Sequence, residues 1–246
     1  MKSRAHIARS FFVSCALALA GCIEASQEPV AYDAVAVSRD RGTGDSNGWV
    51  VELSRADVAL GPFYFCAATS GSSTLCASSI AEVRSVTVVN ALALSASPIG
   101  RVNGFSGSIQ SVSYDFGISW FDTQTEATPA PSLPGGHSMR LEGEARKGTM
   151  VVPFTADVDV VPQFQGQNAI STAPAIGTVT SSATRLEVLL DPGSWMRQVD
   201  FDAIAAKVGS TGGVVFAIEP GTEEHSAVLV GIKNLAPPEL RWVSTP

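Results

Sequence analysis

Cys66 and Cys76 bracket nine residues in GPFYFCAATSGSSTLCASS. Thiols can hold a metal, exchange with disulfides or form a crosslink, and spacing sorts these choices. Zinc sites bring close cysteine pairs in multiples, or cysteine with clustered histidine, and neither pattern occurs here. A redox pair is normally two residues apart, not nine. Which state the pair adopts depends on its compartment. Histidine is scarce, with only His6, His137 and His225 in the chain. His137 and His225 are the weak metal-ligand candidates, in reach of Glu223 and Glu224 at best, and no ligand spacing supports a set. His137 opens a strand after Gly135-Gly136, and His225 falls in a helix start, so neither metal nor cofactor is expected.

Paired carboxylates stand at Asp157-Val-Asp159 and Asp200-Phe-Asp202. The first pair lies on the outward face of a strand, and one member of the second caps a helix. Asp191-Pro192 reads as a cap and first helical residue before Trp195. Serine is abundant, yet no G-x-S-x-G elbow is present. GSTGG at 209–213 lacks the lysine and the strand-to-helix context of a phosphate loop. None of these sets amounts to a catalytic signature.

The compartment is written in the first residues, MKSRAHIARSFFVSCALALAGC. Lys2, Arg4 and Arg9 make a basic start, and an apolar run from Phe11 to Ala20 follows. That run is about half the ~20 residues a membrane-crossing helix needs, so 1–21 reads as a signal peptide. Leu19-Ala20-Gly21-Cys22 resembles the lipobox of bacterial lipoproteins in motif and in placement. The resemblance implies that the Cys22 thiol is acylated and the chain cut before it. The new amino terminus is usually acylated as well, palmitate being the expected chain. One acyl chain holds only reversibly at roughly 0.8 kcal/mol per methylene, whereas several make a stable anchor. Ile23 stands where an Asp would favour inner-membrane retention in that family, so the outer membrane is the expected address. Export also decides the thiols: Cys15 leaves with the signal, Cys22 is acylated, and Cys66 with Cys76 forms one disulfide. A loop that short contributes on the order of 2–3 kcal/mol.

The chain holds 16 Lys+Arg against 23 Asp+Glu, and losing the three basic residues of 1–21 takes the net charge from −7 to −10. Such a surface repels phosphate backbones, which excludes nucleic acid as a partner class. Residues 22–47 end in SRDRGTGDSN, rich in Gly, Ser and charge without an apolar period. They read as a lipidated flexible tether, within which VAYDAVAV could form a short strand. Residues 48–246 then form a single domain, large enough for a real core.

The periodicity of that domain is two. Val112, Tyr114, Phe116, Ile118 and Trp120 alternate with Ser113, Asp115, Gly117 and Ser119, predicting one buried face and one in water. Met139, Leu141 and Ala145 alternate with charge and pair across Lys147-Gly148 with Met150, Val152, Phe154, Ala156, Val158 and Val160. Pro153 falls on the outward set of that return strand, which suits an edge or a bulge. Further strands are expected at 49–60, 83–94, 184–190 and 213–218. The parity switch between Leu53 and Ala56 predicts a bulge near Arg55. DFDAIAAKVG reads as a helix; GTEEHSAVLVGIKNLAPP reads as a second, with Val228, Ile232 and Leu235 on one face, although its β-branched residues and Gly231 also suit a strand. The fold class is mainly β, an antiparallel β-sandwich with one or two short helices near the C-terminus; a closed antiparallel barrel is the alternative.

Two long polar segments, 121–136 and 162–182, exceed ordinary connection lengths and join the cysteine loop as places to bind a partner. The expected function is a non-catalytic binding or structural module of the envelope, membrane-bound through its lipid, with a protein or small-molecule ligand. The alternative is an exported hydrolase or metal-binding protein using loop carboxylates with His137 or His225.

Overall fold

The computed structural model describes residues 27–68, 79–209 and 214–244. The segment 1–21 read as a signal peptide, Cys22 and Cys76 lie outside the described residues. The strands are β1 (Pro29–Ser38), β2 (Thr43–Ser46), β3 (Trp49–Leu60), β4 (Phe63–Cys66), β5 (Ser79–Val83), β6 (Thr87–Asn90), β7 (Ser97–Phe105) and β8 (Gly107–Tyr114). They continue as β9 (Ile118–Ser119), β10 (Thr128–Pro129), β11 (Met139–Lys147), β12 (Met150–Val158), β13 (Ile170–Val179), β14 (Ala183–Leu190), β15 (Phe216–Ile218) and β16 (Glu239–Ser244). Two short helices, α1 (Phe201–Val208) and α2 (Glu223–Val230), lie near the C-terminus.

The protein is mainly β and built on two sheets. The larger runs β13-β8-β4-β5-β7-β1-β14-β16, and the smaller runs β15-β12-β11-β3-β2 with β6 on the other half of β3. The end strands β13 and β16 of the larger sheet approach each other, Trp242 lying over Gly177, so this sheet is nearly a closed barrel. A Cβ on Gly177 would sit 2.6 Å from the Trp242 ring, so only glycine admits that contact. Apolar side chains of both sheets and both helices form one core, from Trp49 and Phe154 to Leu186 and Ile232. Pairing is mostly antiparallel, with β1·β14 and β12·β15 as parallel exceptions.

The expected tether is corrected by β1. It lies inside the larger sheet between β7 and β14, and β2 pairs with β3, so the fold begins at Pro29 rather than after Asn47. Val30, Tyr32, Ala34 and Ala36 supply the alternation that buries it. The short strand read at VAYDAVAV is this β1; the apolar Ala31 and Val35 between the buried positions and the Gly-Ser run that follows hid that it belongs to the sheet.

The strand at 49–60 is β3 to the residue, and its register with β11 shifts between Leu53 and Arg55, as the parity switch requires. The β11–β12 hairpin forms in the expected pairing. Val152, Phe154, Ala156, Val158 and Val160 are buried, but Met150 is 45% exposed because it lies at the hairpin tip, beyond the core. Pro153 sits where β12 has only β11 beside it, one residue before β15 joins. The run 83–94 is broken: β5 ends at Val83 and β6 spans only Thr87–Asn90. Of 213–218 only β15 is strand among the described residues.

Both helices are capped as read. Asp200 accepts from the Ala203 N–H, and Thr222 accepts from the His225 N–H. Leu235 does not share the face of Val228 and Ile232. The chain widens into a π turn over Gly231–Leu235, closed by the Ala236 N–H on the Gly231 carbonyl. The extra residue in that turn carries Leu235 out to 44% exposure and buries Ala236 instead.

The larger sheet has two finished ends. At one end, the base, Pro29 faces Phe105, Val179 faces Gly107, and β4 ends at Cys66. At the other, the crown, β8 ends at Tyr114, β13 begins at Ile170, and β4 begins at Phe63.

Candidate functional site

The crown is where the two long segments meet. The segment 162–182 is a loop only to Ala169, its second half being β13. Asp115, one residue past β8, gathers the loops. Its Oδ1 accepts from the Ala169 N–H at 2.6 Å, and its Oδ2 from Asn168 Nδ2 at 3.0 Å and Ser119 Oγ at 2.8 Å. Its backbone exchanges hydrogen bonds with the Gly61–Pro62 corner, where the chain passes from the smaller sheet to the larger. A Cβ on Gly61 would run into the Ser85 carbonyl, so the corner depends on glycine. Farther out, Gln165 Nε2 donates to the carbonyls of Asp122 at 2.9 Å and Gln124 at 2.7 Å. The Gly166 N–H donates to the Trp120 carbonyl at 2.6 Å.

Asp115 was expected on a face in water, together with Ser113. Both are buried. The strand is interior, flanked by β4 and β13, and neighbouring chain covers its polar side. Ser111 Oγ donates to the Ala68 carbonyl at 2.7 Å and Ser113 Oγ to the Ser171 carbonyl at 2.6 Å. Burial pushes the Asp115 carboxyl up to about 6, against the downward pull of its three donors, Ala169, Asn168 and Ser119. Asn168 is itself buried, and its Oδ1 has no hydrogen-bond donor among the described residues.

Beside this clasp opens a groove of about 420 Å³. Pro62, Tyr64, Val86, Phe121, Pro129 and Pro131 give it apolar walls, Ser119 links it to Asp115, and Arg84 stands on the rim. Arg84 is 81% exposed and pairs with Glu82 at 2.6 Å, so it remains in water as a positive group. An apolar cavity of this size with a few polar groups can hold a small molecule or a ligand side chain.

The two candidate histidines lie elsewhere, beside the smaller sheet, His137 just before β11 and His225 on α2. His137 Nδ1 meets the Asp159 carboxylate at 3.1 Å, and its Nε2 lies 4.0 Å from Asp157. The two acids bracket the ring from opposite nitrogens instead of converging on a point. Among the described residues no three His, Cys, Asp or Glu side chains gather as a metal site. His225 on α2 is buried, and burial lowers its pKa while the Asp159 charge works against that. Both histidines thus feel the same carboxylate, which their separation of 88 positions could not show. A groove of about 370 Å³ adjoins His137, lined also by Thr155, Ala217 and Glu219. A carboxylate-oriented histidine is the geometry of a general base. No hydroxyl or thiol hydrogen-bonds to His137 Nε2 among the described residues.

The remaining acids are structural. Asp200 caps α1, and Asp202 accepts from Lys147 Nζ at 3.0 Å and Trp49 Nε1 at 3.1 Å, fastening α1 to the hairpin. Asp191 takes a hydrogen bond from Ser194 Oγ at 2.9 Å and makes no helix-capping bond of its own. Its neighbour Asp40, inside the segment read as tether, has its pKa raised, first by burial and then by hydrogen bonding to Asp191. Cys66 is buried at the base end of β4.

No protein-family model, no curated protein and no solved structure matches this chain. What the site can do therefore rests on its own geometry.

Proposed function

We propose that this protein is a lipid-anchored lipoprotein of the bacterial envelope, displayed at the outer membrane, whose domain binds a ligand without catalysis. The lipobox-like Leu19-Ala20-Gly21-Cys22 supports the anchor. The observation that carries the binding role is the apolar crown groove, walled by one long loop and braced by the other through Asp115. Its apolar walls and rim arginine suit an amphipathic ligand with an apolar body and a negative group, or a protein side chain of that character. Titration with 8-anilinonaphthalene-1-sulfonate checks this. The probe should brighten on the folded protein and lose that response in Ala130→Trp, which fills the groove. An unchanged response in the variant would rule the groove out.

Cys22→Ser should release the protein from the membrane fraction, and a variant that still sediments with membranes would sink the anchor. The Cys66–Cys76 disulfide belongs to the same reading. A non-reduced digest should yield the two peptides joined, and alkylated thiols at both positions would refute it.

The Asp159–His137 contact favours a second reading, an exported hydrolase whose general base is His137. It predicts ester or amide hydrolysis lost in His137→Ala and retained in His225→Ala. No turnover across a broad panel would leave the binding module alone.

A further inference from the structure

We propose that the base of the larger sheet is a membrane-facing surface, which leaves the crown groove pointing away from the bilayer. The inference rests on the lipid anchor at Cys22. It follows from where the fold begins. Glu28 is already clamped to the base: its N–H donates to Ser106 Oγ at 2.9 Å and its carbonyl accepts from the Ser106 N–H at 2.8 Å. Its carboxylate accepts from Ser181 Oγ at 2.6 Å. Six residue steps separate Cys22 from Glu28. Even fully extended, they reach at most about 21 Å. A tether running to Asn47 would have reached about 85 Å and allowed any orientation.

The body is larger than its leash. A domain of this length has a radius of gyration of about 17 Å, hence a width of roughly 44 Å. β8 alone spans about 23 Å from the base to the crown. A leash fixed at the base and shorter than that span cannot turn the molecule over to stand on its crown.

The composition of the base agrees. Among the described residues the segments that finish it are 27–29, 66–68, 79–80, 105–108, 179–183 and the end of β16 at Ser244, and Glu28 is their only charged residue. Exposed there are small or polar residues (Ser108, Ser181, Ser182, Ala67 and Ala68), Gln27 to Pro29 with the Glu28 carboxylate, and the half-exposed Phe105 ring. The mature chain carries a net −10, of which these segments hold only Glu28, with Glu24 on the leash itself. A nearly neutral surface of hydroxyls with one aromatic ring can lie against head groups, whereas an acidic one would be repelled by anionic lipid.

Full-length lipidated protein in vesicles of phosphatidylethanolamine and phosphatidylglycerol tests this. Bimane on Ser108→Cys at the base and on Thr123→Cys at the crown reports proximity to head-group nitroxide lipids, with unsubstituted protein as the labelling control. Quenching should be severalfold stronger at Ser108→Cys. A Gly-Ser spacer of about a dozen residues inserted between Ser26 and Gln27 should erase the difference. Equal quenching at both sites in protein that floats with the vesicles overturns the orientation and leaves the anchor standing. Protein that fails to float overturns the anchor itself.

Discussion

Two carboxylates are buried in the larger sheet to the same degree, Asp115 at 1% exposure and Glu187 at 2%, and their environments move them in opposite directions. At the crown, Asp115 has only neutral donors, so burial dominates and its pKa rises to about 6. On β14, burial also works to raise Glu187, but hydrogen bonds from Arg241 and Arg185 and their charges outweigh it and lower the pKa. The guanidiniums themselves remain about half exposed, at 58% and 47%. Burial alone does not decide whether an acid is comfortable; the charge of its partners does. Glu187 stitches β14 to β16 and is a structural pair. Asp115 holds two loops around a groove with its charge uncompensated, which is the pattern of a site rather than of a brace.

Removing the Asp115 side chain should give the largest effect. Asp115→Ala leaves the Ala169 N–H, Asn168 Nδ2 and Ser119 Oγ without their acceptor inside the fold. We expect a loss of about 3 kcal/mol in urea unfolding, together with loss of the fluorescent probe response at the groove. A loss below about 1 kcal/mol would mean that the loops hold each other without the clasp.

The pH dependence comes next and separates the two acids. Asp115 binds its proton more tightly in the folded state, so its contribution is complete below about pH 4. It is lost as pH rises from there through about 6. The full swing is on the order of 2–3 kcal/mol. Glu187 runs the other way: its contribution is present above its ordinary value and disappears as pH falls through its lowered folded value. Asp115→Asn should flatten the urea midpoint between pH 4.5 and 7, while Glu187→Gln should leave that window unchanged. A slope that survives Asp115→Asn would place the titrating group elsewhere, with Asp40 the first alternative.

Glu187→Gln itself should cost only about 1 kcal/mol, because the two arginines it leaves behind are already half in water. A loss as large as that of Asp115→Ala would show that partner exposure does not discount a buried pair, and would erase the contrast between the two sites.

Legibility follows the same line between local pattern and distant contact. The parity switch in β3, the hairpin with Pro153 and both helix caps could be read because each is decided by residues a few positions apart. β1 was legible as an alternation and lost to the Gly-Ser run after it, since nothing local reveals a partner such as β14, more than 140 positions on. Asp115 was misplaced for a related reason. Period two assigns a side to every residue, but not what covers that side, and here the cover is a loop beginning near residue 162. A run of small polar residues, Ser111, Ser113 and Asp115, facing away from the apolar Val112, Tyr114 and Phe116 was the available sign that both faces are packed. The meeting of His137 and Asp159 was also out of reach, because it needs the hairpin register.

The smallest expected effect tests whether the crown is one device or two neighbouring loops. Gln165 ties the loops outside the clasp, through carbonyls that water can also reach. Gln165→Ala should therefore cost about 0.5 kcal/mol in global stability, within the ordinary range for a partly exposed hydrogen bond. Its signature should instead be local: faster hydrogen exchange at the Gly166 and Phe121 amides, with the core amides of β8 unchanged. If exchange at the Ala169 amide accelerates as well, the outer tie and the Asp115 clasp open together. The groove would then be gated by both loops as a unit. If Ala169 stays protected, Asp115 alone holds the inner end, and the contrast with Glu187 sharpens: the uncompensated acid would be the single fastening of the site.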